Sequence, residues 1–167
     1  MLPSVSQPHE APHALRDSVR QRAKLVRLSG QHSQRMQKAL ESMNLKLTQV
    51  LGDITGVTGL KVIRAILAGE RNPAARAGLR DRRCRHTAAE MAQALDGRYR
   101  PEYRSELRCC LILWDKYQEV IAALDRELAG HLRSMARQVD LPPLPPRPRR
   151  RGRKPHDPRF DVRTALY

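Results

Sequence analysis

The sequence predicts an all-α protein, and three observations carry that expectation. Residues 101–139 hold an apolar stripe repeating every seven residues, Leu107, Trp114, Ile121, Leu128 and Met135, with Cys110, Tyr117 and Leu124 three positions after the first three. Residues 15–52 carry a second stripe of the same period. No stretch alternates apolar and polar residues with the period of two that a half-buried strand requires. A seven-residue repeat is the a/d seam of a long helix that packs on a partner helix. The expected architecture is therefore two long antiparallel coiled-coil helices, a small helical insert at their tip, and a disordered, basic, proline-rich tail.

Residues 1–14, with Pro3, Pro8 and Pro12, are expected to be disordered. A coiled-coil helical domain should then occupy residues 15–140. In its first segment Val19, Val26, Leu40 and Leu47 share one heptad position, and Met36, Met43 and Val50 follow three residues on. The half from Met36 onward is the more regular. In the earlier half Arg22, Ser29 and Ser33 fall on the seam, where polar residues fix register or partner at a cost in stability. Each long segment has about 39 residues, roughly 58 Å of helix at 1.5 Å per residue. Equal lengths suit an antiparallel hairpin, and pairing within one chain or between two chains remains open at this level.

The insert, residues 54–100, reads as short helices. Residues 57–68 are apolar and stop at Gly69. Asn72-Pro73 supplies a cap and a first-turn proline for a helix reaching Arg83. Thr87 and Glu90 have the spacing of a capping box, with Gly97 as the closing residue. Pro101 and Glu102 open the last long helix. In that helix His131 falls on the seam and reads as a register residue. From 141 to 159 the character changes. Pro142, Pro143, Pro145, Pro146 and Pro148 forbid a helix and favour an extended form. Residues 160–167 read as the start of a further ordered element, as at the threshold of a domain cut short.

Composition limits the function. A hydrophobic fraction of 40% with one Phe and one Trp argues against a large compact core. A net charge of +15 points to a polyanionic partner, nucleic acid ahead of an anionic membrane. The charge is uneven: +4 over residues 1–56, +6 over 57–100, −1 over 101–140 and +6 over 141–167. The basic surface thus belongs to the insert and the tail. Three cysteines without a C-x-x-C pair give neither a disulfide framework nor a zinc site, and suit a reducing, cytoplasmic setting. No apolar run reaches the length of a membrane span, and no secretory leader is legible.

Candidate nucleic-acid contacts follow from the charge. Lys61, Arg64, Arg71, Arg80, Arg82, Arg83 and Arg85 lie in the insert, and Arg149, Arg150, Arg151, Arg153 and Lys154 in the tail. The tail run is close to an AT-hook, whose Arg-Gly-Arg core enters a narrow minor groove. Here Lys154 separates Arg153 from Pro155, so a solvated basic linker is the competing reading. Gly56-x-x-Gly59 could clamp a phosphate backbone as a Gly-x-x-Gly loop does, or serve as the corner between two helices. No strands flank it, which favours the corner. The expected seam is Met36, Leu40, Met43, Leu47, Leu107, Trp114, Ile121, Leu128 and Met135. Asp53, Glu70, Asp81, Glu90 and Asp96 lack the spacing of a metal site, and no serine has a base in pattern, so no catalytic or metal residue is expected.

Several blocks in order then carry a family resemblance. They are Gln31-His32, Met36-Gln37-Lys38-Ala39-Leu40, Met43-Asn44-Leu45-Lys46-Leu47, Asp53 through Gly59, Arg64 through Pro73, Leu79 through Cys84, and Leu113-Trp114-Asp115-Lys116-Tyr117. Together they are similar to the middle of transposases of insertion-sequence family 110, the DEDD enzymes that act with a bridge RNA. The likeness covers most of the chain, from about residue 19 onward. It implies a protein in three parts. A RuvC-like domain carries four acidic ligands for a divalent metal, a coiled-coil middle gives dimer contacts and holds RNA, and a C-terminal domain carries a nucleophilic serine. No residue here matches the acidic ligands or the serine. Arg76 and the pair Cys109-Cys110 stand where the family usually has apolar or small residues. The resemblance therefore implies a dimerising, RNA- and DNA-binding coiled-coil fragment without catalytic residues or a cofactor of its own. A non-catalytic structural coiled coil and an AT-hook-like DNA-binding factor are the alternatives.

Overall fold

The computed structural model of the chain describes residues 10–136 and 157–160. Among these the fold is all-α, with six helices and no strand: α1 Glu10–Ser42, α2 Leu47–Val50, α3 Val57–Ala68, α4 Pro73–Ala77, α5 Ala88–Ala94 and α6 Pro101–Ala136. The chain divides into two compact units, Ser29–Asp115 and a second formed by Met1–Leu28 with Lys116–Tyr167.

In Ser29–Asp115, the second half of α1 ends earlier than its apolar stripe suggests. The expected helix ran to residue 52, but α1 stops at Ser42. Asn44 adopts a left-handed φ of 57°. The Leu45 amide donates to the Leu40 carbonyl, and the Asn44 amide to that of Glu41. This is a Schellman termination, with Asn44 in the place usually held by glycine and Leu45 packing into the same core as Leu40. Leu47 therefore sits on α2 and not on the first long helix. The start differs too, since α1 begins at Glu10, within the stretch expected to be disordered.

The insert helices form where the caps predicted them. Helix α3 covers Val57–Ala68 and ends on Gly69 at φ 101°, with the Gly69 amide on Ile66 and the Glu70 amide on Ala65, a second Schellman motif. Helix α4 opens on Asn72, whose side chain accepts from the Ala74 amide at 3.0 Å. It ends at Ala77, six residues short of the expected Arg83. Gly78 stops it, and the chain turns instead through Asp81, which takes the Arg83 amide at 3.0 Å. Helix α5 has the complete capping box. The Thr87 amide donates to Glu90 Oε2 at 2.7 Å and the Glu90 amide to Thr87 Oγ1 at 3.2 Å. Leu95, not Gly97, caps its C-terminus. Gly97 is needed for another reason: a Cβ there would overlap the Met43 carbonyl oxygen. The Arg98 amide donates to that same oxygen, and the Lys46 amide to the Ala94 carbonyl.

The core of this unit gathers Met36, Leu40, Met43, Leu45 and Leu47 with Ile63, Ile66, Met91, Leu95 and Leu107. Burying such side chains contributes about 1.5–3 kcal/mol each, and this is the main force on the unit. One of its largest buried side chains is charged. Arg76 is 0% exposed. Its guanidinium donates to the carbonyls of Arg71 at 2.9 Å, Leu95 at 3.0 Å and Asn72 at 3.3 Å, and lies 4.9 Å from the centroid of the Tyr99 ring. Burial lowers its pKa, with Glu70 and Asp96 acting in the opposite direction. Arg76 thus ties the start of α4 to the end of α5.

In the other unit, α6 buries Ile121, Leu124, Leu128 and Ala129 along one stripe, with Asp125 buried among them. Asp125 pairs with Arg22 of α1, and its Oδ2 accepts the Arg159 amide at 2.8 Å. The polar seam position at Arg22 thus has a carboxylate partner. Val19, expected on the seam, is 51% exposed. His131 is exposed as well, so it sets no register in this unit.

Candidate nucleic-acid interface

The basic residues of the insert are held by the turns between helices α3, α4 and α5, all within Ser29–Asp115. Lys61 and Arg64 project from α3, Arg71 from the α3–α4 turn, and Arg80, Arg82, Arg83 and Arg85 from the segment between α4 and α5; all are exposed. The 80–85 segment is not loose chain. The Leu79 and Arg80 amides donate to the Arg76 and Ala77 carbonyls, and the Cys84 amide to Asp81. The Asp81 amide donates to Thr58 Oγ1 of α3 at 3.0 Å. Asp81 Oδ1 accepts both the amide and, at 3.2 Å, the Nε of Arg83. These hydrogen bonds from Arg83 hold the Asp81 carboxyl below its ordinary range, helped by the charges of Arg83 and Lys61. The arginines are therefore presented by a structured turn.

Not every predicted cation is equally available. Arg64 donates to both carboxylate oxygens of Asp115, at 2.8 and 3.0 Å, so its guanidinium is already engaged. Arg83 is shared with Asp81, though its side chain is 91% exposed. Arg71 lies in the α3–α4 turn, where its carbonyl accepts from the Arg76 guanidinium at 2.9 Å and its side chain is exposed. Arg149, Arg150, Arg151, Arg153 and Lys154 lie outside the described residues. Of the seam set, Met36, Leu40, Met43, Leu47, Leu107, Ile121 and Leu128 are buried, while Trp114 and Met135 are half-buried.

The structure adds a feature that no motif announced. A cleft of about 570 Å³ opens between the α2–α3 corner and the 81–86 turn. Leu51 and Val57 line it from the α2–α3 corner, and Asp81, Arg83, Cys84, Arg85 and His86 from the turn. Val57, first residue of α3, is 64% exposed there. Asp53 also borders the cleft, but its Oδ1 is taken by the Thr55 amide at 2.8 Å and hydroxyl at 2.6 Å. The Gly56-x-x-Gly59 pair forms the corner. Gly59 is buried, and a Cβ on it would overlap the Ile54 carbonyl, so glycine serves close packing at this point. Sequence reasoning named the arginines and read Gly56-x-x-Gly59 as a corner, but gave the cleft-lining Val57 and His86 no part in a site. An exposed valine carries no signal in a helical stripe, and a lone His before a capping box reads as part of the cap.

Among the described residues no three His, Cys, Asp or Glu side chains gather as a metal site would need, and no helix is long and apolar enough to cross a membrane. Compared with models of known families, with curated proteins and with solved structures, the chain matches none.

Proposed function

We propose that this chain is a non-catalytic, nucleic-acid-binding helical module of an insertion-sequence transposase of the family 110 type, binding RNA and DNA and working as a homodimer or higher oligomer. The observation that carries the binding part is the 80–85 turn. Arg80, Arg82, Arg83 and Arg85 are exposed side by side on a hydrogen-bonded segment, and the whole chain is strongly basic. Guanidinium groups held in this way suit phosphate oxygens, which they can engage through two parallel hydrogen bonds. The transposase part rests on the ordered sequence blocks described above. The long helices α1 and α6 are read as the arms of an antiparallel coiled coil joined by α2–α5. One contact within Ser29–Asp115 favours that direction: the Arg98 amide, just before α6, donates to the carbonyl of Met43, just after α1.

The test is salt-dependent binding of the purified chain to a structured RNA. About five phosphate contacts at a slope of roughly −0.7 each give an affinity below about 1 µM at low salt that falls about 100-fold between 50 and 200 mM. Absence of binding at low salt would leave a structural coiled coil as the better reading. A preference for A·T-rich duplex over RNA, lost on Arg153→Ala, would instead favour the AT-hook-like factor.

A further inference from the structure

The cleft beside the 80–85 turn fits a narrower ligand than nucleic acid in general. We infer that it seats one unpaired nucleotide of a single strand, phosphate against Arg85 and Arg83, base or sugar against Val57. The inference rests on the nucleic-acid-binding reading above and specifies where on this unit an unpaired strand is gripped.

Size is the first argument. A cleft of about 570 Å³ lies within the range of roughly 300–1,000 Å³ that holds a single small ligand. A nucleotide fits such a recess, whereas a base pair stacked in a duplex presents only its edge and cannot enter. Polarity is the second. The lining brings apolar side chains of the α2–α3 corner, Leu51 and Val57, together with Arg83 and Arg85 of the 81–86 turn. A nucleotide has the same two characters, with a flat apolar ring at one end and a charged phosphate at the other. Single-strand sites elsewhere combine a basic track with aromatic side chains on which bases stack, and here aliphatic surface stands in the place of the ring.

Charge balance is the third argument. Of the two carboxylates bordering the cleft, Asp81 is paired with Arg83, while Asp53 accepts only the neutral Thr55 amide and hydroxyl. Among the described residues Arg85 forms no ion pair, so its positive charge has no protein carboxylate to satisfy it. His86 lies 3.5 Å from Glu90 and adds charge when protonated. No aromatic ring lines the cleft. Contact with the base is then through aliphatic surface, and discrimination among the four bases should be slight.

The experiment compares the full chain with Arg85→Glu and Val57→Asp, using a labelled 12-nucleotide RNA single strand and the same RNA in a blunt duplex at 50 mM salt. Arg71→Glu, an exposed arginine outside the cleft, is the control for general charge. Val57→Asp places a carboxylate in the first turn of α3, where it favours the helix, and circular dichroism checks that each variant is folded. The expected result is a single-strand affinity lowered about fivefold or more by each cleft variant, with duplex affinity changed no more than by Arg71→Glu. If the cleft variants weaken both RNA forms equally, or neither, the cleft is not the seat and general RNA binding stands. If the unaltered chain binds neither form, this inference falls together with the function on which it rests.

Discussion

Arg22 and Asp125, 103 residues apart in sequence, form a buried ion pair inside one unit of the chain. Their side chains are 13% and 2% exposed, and Asp125 Oδ2 also receives the Arg159 amide. A pair this dry gains little over an apolar pair of the same size, because both ions lose their hydration. Losing Asp125 is different, since it removes at once the carboxylate paired with Arg22 and the acceptor of the Arg159 amide. Asp125→Ala should therefore lower stability by about 3–5 kcal/mol in urea unfolding. The double change Arg22→Met with Asp125→Leu should recover most of that loss. A cost below about 1 kcal/mol for Asp125→Ala would mean that the pair is not buried in solution.

Arg76 poses a related question with a different answer, because its partners are carbonyl oxygens and an aromatic face. Three carbonyls on two chain segments converge on one guanidinium, whose planar fork reaches all of them. Lysine can neither span these acceptors nor stack flat on Tyr99. Arg76→Lys should thus behave as a destabilising change and not as a conservative one. Arg76→Ala should lose about 3 kcal/mol, from charged hydrogen bonds and a cavity together. Chemical denaturation of both variants reads this directly, and wild-type stability in Arg76→Lys would refute the account.

The capping box of α5 gives a prediction with a pH sign. Hydrogen bonds from the Thr87 amide and hydroxyl hold the Glu90 carboxyl below its ordinary value of 4.5, with His86 adding to the effect. A carboxyl depressed on folding contributes stability that is fully present above about pH 4.5 and is lost as pH falls through the lower folded value. The stability difference between the native chain and Glu90→Gln should shrink as pH falls below about 4.5 through the lower folded value. Thr87→Ala should cost roughly 1 kcal/mol at neutral pH through the lost N-cap. A Glu90→Gln difference that grew toward low pH would contradict the assignment.

How much of this was legible in the sequence depends on whether the determinant was local. The helix starts at Asn72-Pro73, Thr87 and Pro101 were readable, because a cap acts on amides two or three residues away. The helix ends were harder. Asn44 terminates α1 inside an unbroken apolar stripe, and its left-handed turn is favoured by Leu45 joining the core from outside the helix. The buried ions were illegible in principle. Arg22 looked like a flaw in the seam and Arg76 like an atypical residue, because their partners are Asp125 at a distance and scattered carbonyls. For the candidate site, charge alone marked Arg80, Arg82, Arg83 and Arg85. The cleft that Arg83 and Arg85 border exists only once the 81–86 turn is fastened to Thr58 on α3, a contact without sequence signature.

Neighbouring cysteines on α6 test which face of that helix is buried. Cys109 is exposed, whereas Cys110 is 5% exposed and packs with Leu107 and Leu111. Burial pushes the Cys110 thiol up from its ordinary value, with Glu106 adding to the rise and Arg35 opposing it. Because the thiolate is the reacting form, a raised pKa slows alkylation at a given pH, and burial slows it again. At pH 8 a maleimide should label Cys109 first and the half-buried Cys84 at an intermediate rate. Cys110 should react at least about tenfold more slowly than Cys109 until urea is added. Timed quenching followed by peptide sequencing in a mass spectrometer separates the two adjacent sites. Equal rates at Cys109 and Cys110 in the native chain would show that α6 does not bury the face carrying Leu107, Cys110 and Leu111, and the core built on that face would have to be redrawn.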